Sequence, residues 1–230
     1  MKIISFNTQH CHNWPEGKIN YDKVADVIRD YDIICLNEMR GAGKTEEYPD
    51  QILEIAKRTG IENYYFAVAC EPQGMYPYGD AIFTKLPIIE AKTVAIPDPT
   101  EKKYDRWYET RCVLVAELQG GLRVVITHMG LNPDEQELAV KTVVPFLRRE
   151  KCILMGDFNV GPDNAVLKPI REIMYDTAEL FDKDKLSYPS YEPEIKIDYI
   201  FVSPDIKVKS ADIPELLVSD HFPHIAEIEL

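Results

Sequence analysis

The stretch ILMGDFNVGPDN, residues 153–164, starts as a buried strand and ends as a loop. Apolar residues surround Asp157, Asn159 follows two positions later, and the glycine and proline at 161–162 then break the strand. In an extended chain, residues two apart project from the same face, so both polar side chains can reach one small group. The segment therefore predicts polar groups held rigidly at the edge of a sheet.

Composition indicates an ordinary globular protein. Of the 230 residues 45% are hydrophobic, which supplies a core. No apolar run approaches the roughly 18 residues of a membrane span, and the N-terminus lacks the features of a signal peptide. No repeat, low-complexity tract or linker interrupts the chain, so we expect one domain over residues 1–230. Five cysteines without a CxxC pair indicate free thiols and a reducing, cytoplasmic compartment.

The formal net charge of −13 disfavours nucleic acid as a partner, because tight non-specific binding of nucleic acid needs clustered Lys and Arg. Local basic patches can oppose a net charge, so this composition makes a nucleic-acid partner less expected but does not exclude one.

Strand-like and helix-like segments alternate along the chain. We expect strands at 2–7, 32–38, 63–70, 80–85, 111–118, 122–129, 151–158, 195–202 and 224–230. Gly120-Gly121 suits the tight turn of a hairpin. We expect helices at 20–30 with Asn20 as N-cap, at 46–59 ended by Gly60, at 134–149, and at 163–174 with Asp163 as N-cap. This order predicts an α/β (α+β) fold with mixed sheets between helices.

Polar residues gather at or near the ends of these strand-like runs. A single strand-end Asn or Asp is usually a turn former. Six such positions together indicate a site instead, because the carboxyl edge of an α/β sheet is where ligands bind. They are Asn7, Glu38, His128, Asp157, Asn159 and Asp198, and Ser219-Asp220-His221 precedes the last run.

In chain order the motifs are SFNTQ (5–9), LNEM (36–39), THMGLN (127–132), GDFN (156–159), KIDYIFVS (196–203) and SDHFP (219–223). This ordered set resembles the endonuclease/exonuclease/phosphatase superfamily, which includes deoxyribonuclease I. The resemblance runs from Asn7 to His221. It implies a four-layered α/β sandwich and divalent-metal-dependent hydrolysis of a phosphoester.

The expected cofactor is Mg²⁺, with Mn²⁺ as a substitute. Mg²⁺ prefers hard oxygen ligands and keeps several waters, so few protein ligands suffice. We expect Glu38 as the main ligand, Asn7 beside it and Asp220 as a further ligand. Many nuclease members carry an acid two residues after the first asparagine, but this chain has Gln9, which weakens the expectation of a second acidic ligand there.

The resemblance also implies roles for the remaining motif residues. His221 and Asp198 would form an oriented imidazole, and Asp157 would take a proton from the attacking water or give one to the leaving group. Sequence alone leaves open which of Asp157 and His221 is the base. Contacts to the attacking water or to the phosphate are expected from Asn159, His128, Arg111 and Asn132.

Four further features have simpler interpretations. RGAGKTEE (40–47) is not a P-loop, because Glu38 stands where the first glycine belongs. HCH (10–12) lacks the extra ligands that zinc needs, although His10 or His12 can line a pocket. Asp80 either orients His128 or merely begins a strand, and the second is favoured. His224 is expected in the core.

The leading hypothesis is a Mg²⁺-dependent phosphodiesterase or phosphatase that acts on a small or lipid-derived phosphoester. An endonuclease or exonuclease acting on DNA or RNA is the alternative, and the pairs at 102–103 and 148–149 are its best basic candidates. A catalytically silent binding module is the third, but such a module would have lost Glu38, Asp157 or His221.

Overall fold

The structure, a computed structural model, describes residues 1–182 and 184–230. Its strands are β1 (Lys2–Asn7), β2 (His12–Asn13), β3 (Lys18–Ile19), β4 (Ile33–Arg40), β5 (Asn63–Cys70), β6 (Tyr78–Thr84), β7 (Ile88–Ala95), β8 (Cys112–Leu118), β9 (Leu122–His128), β10 (Cys152–Asp157), β11 (Tyr175–Asp176), β12 (Asp198–Val202), β13 (Lys207–Asp212) and β14 (His224–Glu229). Its α-helices are α1 (Tyr21–Ile28), α2 (Gln51–Thr59), α3 (Pro133–Leu147) and α4 (Lys168–Arg171), and 3₁₀ turns lie at Pro72–Gly74, Ala165–Leu167 and Thr177–Leu180.

Two six-stranded mixed sheets form the centre of the fold. The first has the order β13-β14-β1-β4-β6-β5, and the second has the order β11-β12-β10-β9-β8-β7. Each contains a parallel pair at its middle, β1 with β4 and β9 with β10. The neighbouring pairs are antiparallel. The two sheets therefore share one strand pattern.

Three clusters of buried side chains hold the layers together. One lies between the sheets and includes Ile33 and Ile82 of the first sheet and Met155 of the second. A second packs the outer face of the second sheet on α3, where Val143 is fully buried. The third packs the outer face of the first sheet on α1 and α2. These helix, sheet, sheet and helix layers are the expected four-layered sandwich.

Most predicted elements are present, with local corrections. The β8–β9 hairpin turns at two glycines of positive φ, and Asn20 caps α1 as predicted. The predicted helix at 163–174 is wrong: Asn164, not Asp163, caps a 3₁₀ turn, and only Lys168–Arg171 are α-helical. The strands β7 and β13 were not expected, because both are edge strands whose side chains are mostly exposed.

All five cysteines are free. Among residues 1–182 and 184–230, none of the helices has both the length and the apolar character needed to cross a bilayer.

Strand register brings the predicted site residues together. Asp157, the last residue of β10, lies opposite His128 on one side and opposite Asp198 on the other. In the first sheet, Asn7 at the end of β1 lies opposite Asn37 of β4. Both parallel pairs thus end at the same edge of the sandwich.

Gly156 permits this close approach of β10 to β9. Its φ is +144°, and a Cβ there would lie 1.8 Å from the carbonyl oxygen of Thr127. We expect Gly156→Ala to lower the free energy of unfolding by roughly 3 kcal/mol or more, since the clash is with fixed backbone. Gly121→Ala is the control, because its φ is also positive but its Cβ meets open space. The control should lose only about 1 kcal/mol in urea denaturation, and equal losses would contradict the account.

Candidate active site

Asn7 joins the two sheets at the site edge. Its buried side-chain nitrogen donates to Glu38 Oε1 at 3.2 Å and to Asp157 Oδ2 at 3.0 Å. Its side-chain oxygen accepts from the Gln9 amide at 3.1 Å. One amide therefore fixes a carboxylate of each sheet.

Glu38 sits in a β-bulge of β4. The register against β6 shifts between Leu36 and Met39, and Glu38 has a φ of +61°. Bulges re-aim side chains near active sites, and a positive φ is uncommon for a residue with a side chain. The preceding residue, Asn37, is fully buried and accepts from the Asp157 amide at 3.1 Å. The bulge thus places two consecutive side chains at the site.

Asp157 is the centre of the cluster. It is 2% exposed, and its Oδ1 accepts from the Asn159 amide at 2.9 Å. Its Oδ2 lies 3.4 Å from His128 Nε2 and 3.7 Å from His221 Nε2. Burial raises the pKa of Asp157 to about 7, although the positive charge of His221 opposes the shift. This carboxylate therefore faces two imidazoles.

His128 is neutral. Arg111 Nη1, which can only donate, lies 2.9 Å from His128 Nδ1, so that nitrogen is the acceptor. The proton of the neutral ring is then on Nε2, which faces the Asp157 carboxylate at 3.4 Å. The Asn159 side-chain nitrogen, 3.1 Å from Nε2, is also a donor, and it donates to the Met129 carbonyl instead. Burial, and then the charge of Arg111, lower the pKa of His128 well below its ordinary value. His128 can consequently donate one hydrogen bond into the site.

His221 is charged. Its Nδ1 donates to Asp198 Oδ2 at 2.8 Å. Burial of the ring lowers the pKa of His221, but the carboxylates of Asp198 and Asp157 outweigh burial and raise it to about 10. The Tyr188 ring packs on His221 with centroids 4.7 Å apart. The two imidazoles that face Asp157 therefore differ in protonation.

Asn159 differs from its predicted conformation. The chain is no longer extended at Asn159, whose φ is +53°, so it does not share a strand face with Asp157. Its side-chain nitrogen donates to the Met129 carbonyl at 2.9 Å and lies 3.1 Å from His128 Nε2. The turn nevertheless brings Asn159 to the cluster, as its motif implied.

Two residues predicted to contact phosphate make other contacts. Arg111 lies on the opposite side of the His128 ring from Asp157 and also pairs with Glu109 at 3.0 Å. Asn132 is the N-cap of α3, and its side chain donates to Glu135 Oε2 at 2.7 Å. A phosphate contact by either residue stays a prediction.

Asp80 and His224 occupy structural positions. Asp80 lies inside β6 and accepts from Asn37 at 2.8 Å, which agrees with the favoured strand interpretation. His224 is fully buried, and its ring contacts the Thr177 hydroxyl at 3.0 Å and the Asp198 carbonyl at 3.2 Å. The expectation of a core histidine is confirmed.

The donor set around Glu38 fits a hard cation. Glu38 Oε2 has His10 Nε2 at 3.8 Å, which is too far for a hydrogen bond, and the side chain is 22% exposed. Gln9 Oε1 is buried and has no partner within residues 1–182 and 184–230. Burial raises the pKa of Asp220, as does the nearby charge of Glu38, while His221 opposes this. A divalent cation would relieve this repulsion and take free oxygens as ligands.

A second group of ligand-type atoms suits proton transfer better than metal binding. Atoms of Asp157, Asp198 and His221 lie within 4.8 Å of one another, the one such group among the described residues. Two of its three members already pair with each other, because His221 Nδ1 donates to Asp198 Oδ2. A histidine–carboxylate pair of this kind orients an imidazole for proton transfer and for holding a positive charge.

A polar cleft adjoins Glu38 at the surface. We call it the Glu38 cleft, and its volume is about 390 Å³. Its polar and aromatic lining consists of Gln9, His10, His12, Trp14, Glu38 and Arg40. The sequence-based suggestion that His10 or His12 lines a pocket agrees with this position.

Sequence reasoning did not assign Asn37 or Tyr188 to the site. Asn37 had a usable signal, because a buried strand seldom holds an amide beside a carboxylate unless both are hydrogen-bonded. Tyr188 had none, since an irregular segment brings it to His221.

Similar folds occur in several solved structures. An endonuclease/exonuclease/phosphatase from Beutenbergia cavernae DSM 12333 is 19% identical with a TM-score of 0.80, over 100% of this chain and 71% of that one. A mannosyl-6-phosphatase from Bacteroides thetaiotaomicron VPI-5482 is 20% identical with a TM-score of 0.76, over 100% of both chains. The 2′,3′-cyclic phosphatase ANGEL2, bound to adenosine-2′,3′-vanadate, is 16% identical with a TM-score of 0.72, over 99% of this chain and 94% of that one.

At these identities the structures establish the fold alone. No curated protein sequence matches the chain. The family model described as "Endonuclease/Exonuclease/phosphatase family" matches residues 4–221, which include every residue of the cluster around Asp157. The chain belongs to the endonuclease/exonuclease/phosphatase family, whose members are hydrolases of phosphoester bonds.

Proposed function

We propose that this protein is a divalent-metal-dependent phosphoesterase that hydrolyses a small phosphoester by in-line attack of water. The observation that carries the proposal is the placement of one buried carboxylate, Asp157, between a neutral and a charged imidazole. The neutral ring is His128 and the charged ring is His221. Ester hydrolysis needs both a proton acceptor and fixed positive charge, and this cluster supplies both.

Asp157 is the proposed general base. A carboxyl whose pKa is raised to about 7 accepts a proton near neutral pH and releases it readily. His221 cannot take this role at that pH because it already holds its proton. Its Nε2 instead donates to a phosphoryl oxygen, and Asp198 keeps the ring charged and oriented.

His128 and Asn159 orient the reacting groups. The Nε2 proton of His128 is available to a non-bridging phosphate oxygen, and Asn159 lies beside it to position the attacking water. Arg111 acts through His128, because its hydrogen bond to Nδ1 fixes which nitrogen carries the proton.

Glu38 and Asp220 would hold the metal. Asn7 would join them only through its side-chain oxygen, because its nitrogen donates to Glu38 and Asp157. When bound there, Mg²⁺ or Mn²⁺ would supply Lewis-acid polarisation of a phosphoryl oxygen and would offset charge on the leaving oxygen. The free oxygen of Gln9 offers a further neutral ligand in place of the acid of many nuclease members.

A small substrate is favoured over nucleic acid. The net charge of −13 repels a polyanion. Among the similar folds, the Bacteroides protein is a mannosyl-6-phosphatase and ANGEL2 is a 2′,3′-cyclic phosphatase. Free thiols support a reducing, cytoplasmic location, and the core shared by both sheets supports one domain over residues 1–230.

The direct test is a panel of phosphoesters assayed with Mg²⁺, with Mn²⁺ and with EDTA. The panel contains p-nitrophenyl phosphate, bis-p-nitrophenyl phosphate, hexose phosphates, inositol phosphates, sphingomyelin, RNA and plasmid DNA. We expect turnover of at least one small ester with either metal and none in EDTA. Turnover that persists in EDTA would refute the metal-dependent mechanism.

Substitution of the proposed metal ligand gives a second prediction. Glu38→Gln keeps the shape of the side chain but removes its charge, so kcat/KM should fall at least about a thousandfold. His221→Ala should cost about a hundredfold or more, since it removes the fixed positive charge. Glu90→Gln, an exposed acid of β7, is the matched control and should retain full activity. Near-normal activity of either site variant would overturn the site assignment.

The nuclease alternative has its own readout. We expect little nicking of supercoiled plasmid at about 0.1 M salt, where surface repulsion still acts over roughly 10 Å. Rapid nicking of the plasmid without turnover of any small ester would contradict our proposal and would show that the protein is a nuclease.

The charge of His221 is testable without substrate. In metal-free protein, Asp198→Asn should lower the pKa of His221, because burial still disfavours the cation while the closest negative charge is gone. Histidine ¹⁵N chemical shifts measured across pH report this directly, and His224 serves as an internal neutral reference. If the pKa of His221 is the same in Asp198→Asn as in the wild type, Asp198 does not keep His221 charged.

A further inference from the structure

A left-handed turn forms one wall of the Glu38 cleft. Gln9, His10 and Cys11 are consecutive non-glycine residues with φ of +44°, +58° and +61°. A positive φ is energetically unfavourable for a single non-glycine residue, and three such residues in succession are rarer still. The His10 amide donates to the Glu38 carbonyl at 3.1 Å, and the Gln51 side chain donates to the His10 carbonyl at 2.8 Å. These two hydrogen bonds hold the strained turn in place, and strained backbone of this kind is typical of ligand-binding loops.

Beyond the turn, exposed aromatic rings border the cleft. Trp14 is 41% exposed and packs on Tyr191, which is 60% exposed, with ring centroids 5.1 Å apart. His12 meets the Trp14 ring edge-on at 6.0 Å. Tyr191 belongs to the segment that also supplies Tyr188 on His221. The aromatic border therefore runs from the Glu38 side of the active site towards the His221 side.

Arg40 also lines the Glu38 cleft and carries a hydrogen-bond donor that is not satisfied within the described residues. Its guanidinium lies over the Tyr76 ring at 4.6 Å, which sets its orientation. Its Nε is buried and has no hydrogen-bond partner in the described part of the chain. A buried donor without a partner is unfavourable, and a hydroxyl group of a ligand would satisfy it.

We propose that the Glu38 cleft binds the sugar ring of a hexose phosphate, so that the substrate is a sugar phosphate monoester. This inference rests on the proposed phosphoesterase activity and names its substrate class. A sugar ring combines an apolar C–H face, which packs on an aromatic ring, with hydroxyls that both donate and accept.

The lining matches that combination. Trp14 offers the aromatic face, while His12 and Arg40 offer polar groups. A nucleobase would instead favour a slot between apolar or aromatic faces. At about 390 Å³ the cleft falls in the range of small-molecule sites. Since Glu38 also lines it, a ring bound there has its phosphate close to the proposed metal ligand.

The kinetic test compares hexose phosphates with an ester that has no ring. We measure kcat/KM for mannose 6-phosphate, glucose 6-phosphate and methyl phosphate in the wild type, Trp14→Ala and Trp14→Phe. In Trp14→Ala the ratio of either hexose phosphate to methyl phosphate should fall roughly tenfold, through KM, because the stacking face is lost. Trp14→Phe should restore most of the ratio. Trp107→Phe, which alters the other tryptophan outside the cleft, should leave the ratio unchanged.

The binding test uses the same two tryptophans. In a Trp107→Phe, His221→Ala protein, Trp14 is the sole tryptophan and turnover is suppressed. With Mg²⁺ present, mannose 6-phosphate should change Trp14 fluorescence saturably, whereas inorganic phosphate should not. A larger and tighter response to adenosine 5′-monophosphate than to both hexose phosphates would overturn the sugar assignment.

The outcomes separate the two proposals. Suppose that the wild type hydrolyses methyl phosphate, but Trp14→Ala does not change the ratio of kcat/KM for hexose phosphate to kcat/KM for methyl phosphate. The sugar-site proposal is then wrong, and the phosphoesterase proposal stands. If the wild type hydrolyses no ester on the wider panel, both proposals fail together.

Discussion

The site depends on the hydrogen bonds that the Asn7 side chain makes across the two sheets. Asn7 ends β1 in the first sheet, yet it donates to Asp157 of the second sheet at 3.0 Å as well as to Glu38 at 3.2 Å. Asn37 adds a parallel link by accepting from the Asp157 amide. A buried carboxylate is costly unless it is hydrogen-bonded. These amides therefore make burial of Asp157 tolerable and fix the spacing between the sheet edges.

Burial also sets the protonation of the cluster. Burial and nearby fixed charges shift the pKa values of His128 and His221 in opposite directions, down for His128 and up for His221. Burial, and then the charge of Arg111, keep the first ring neutral, whereas Asp198 and Asp157 outweigh burial and keep the second ring charged. The two imidazoles next to Asp157 can then play different parts. The neutral ring, His128, donates a hydrogen bond from Nε2, and the charged ring, His221, supplies a fixed positive charge.

Much of this arrangement could be predicted from sequence. The hydrophobic runs locate the central strands, and polar residues at their ends identify Asp157 and His128 as neighbours, because parallel strands end at one edge. Glu38 belongs to the other sheet, and its family motif indicated its place in the site. Edge strands such as β7 escaped prediction, since their exposed side chains show no buried periodicity. The bulge at Glu38 and the turn at Asn159 could not be predicted from the sequence either. Both place non-glycine residues at positive φ, where tertiary contacts override local preference.

The most direct test is a crystal structure with Mn²⁺ and inorganic phosphate, in which anomalous scattering locates the metal. The account predicts a manganese peak on the Glu38 carboxylate, with phosphate oxygens in hydrogen-bonding range of His128 Nε2 and His221 Nε2. A manganese peak on the Asp157, Asp198 and His221 group would contradict it, because those residues would then be metal ligands instead of the proton-handling centre.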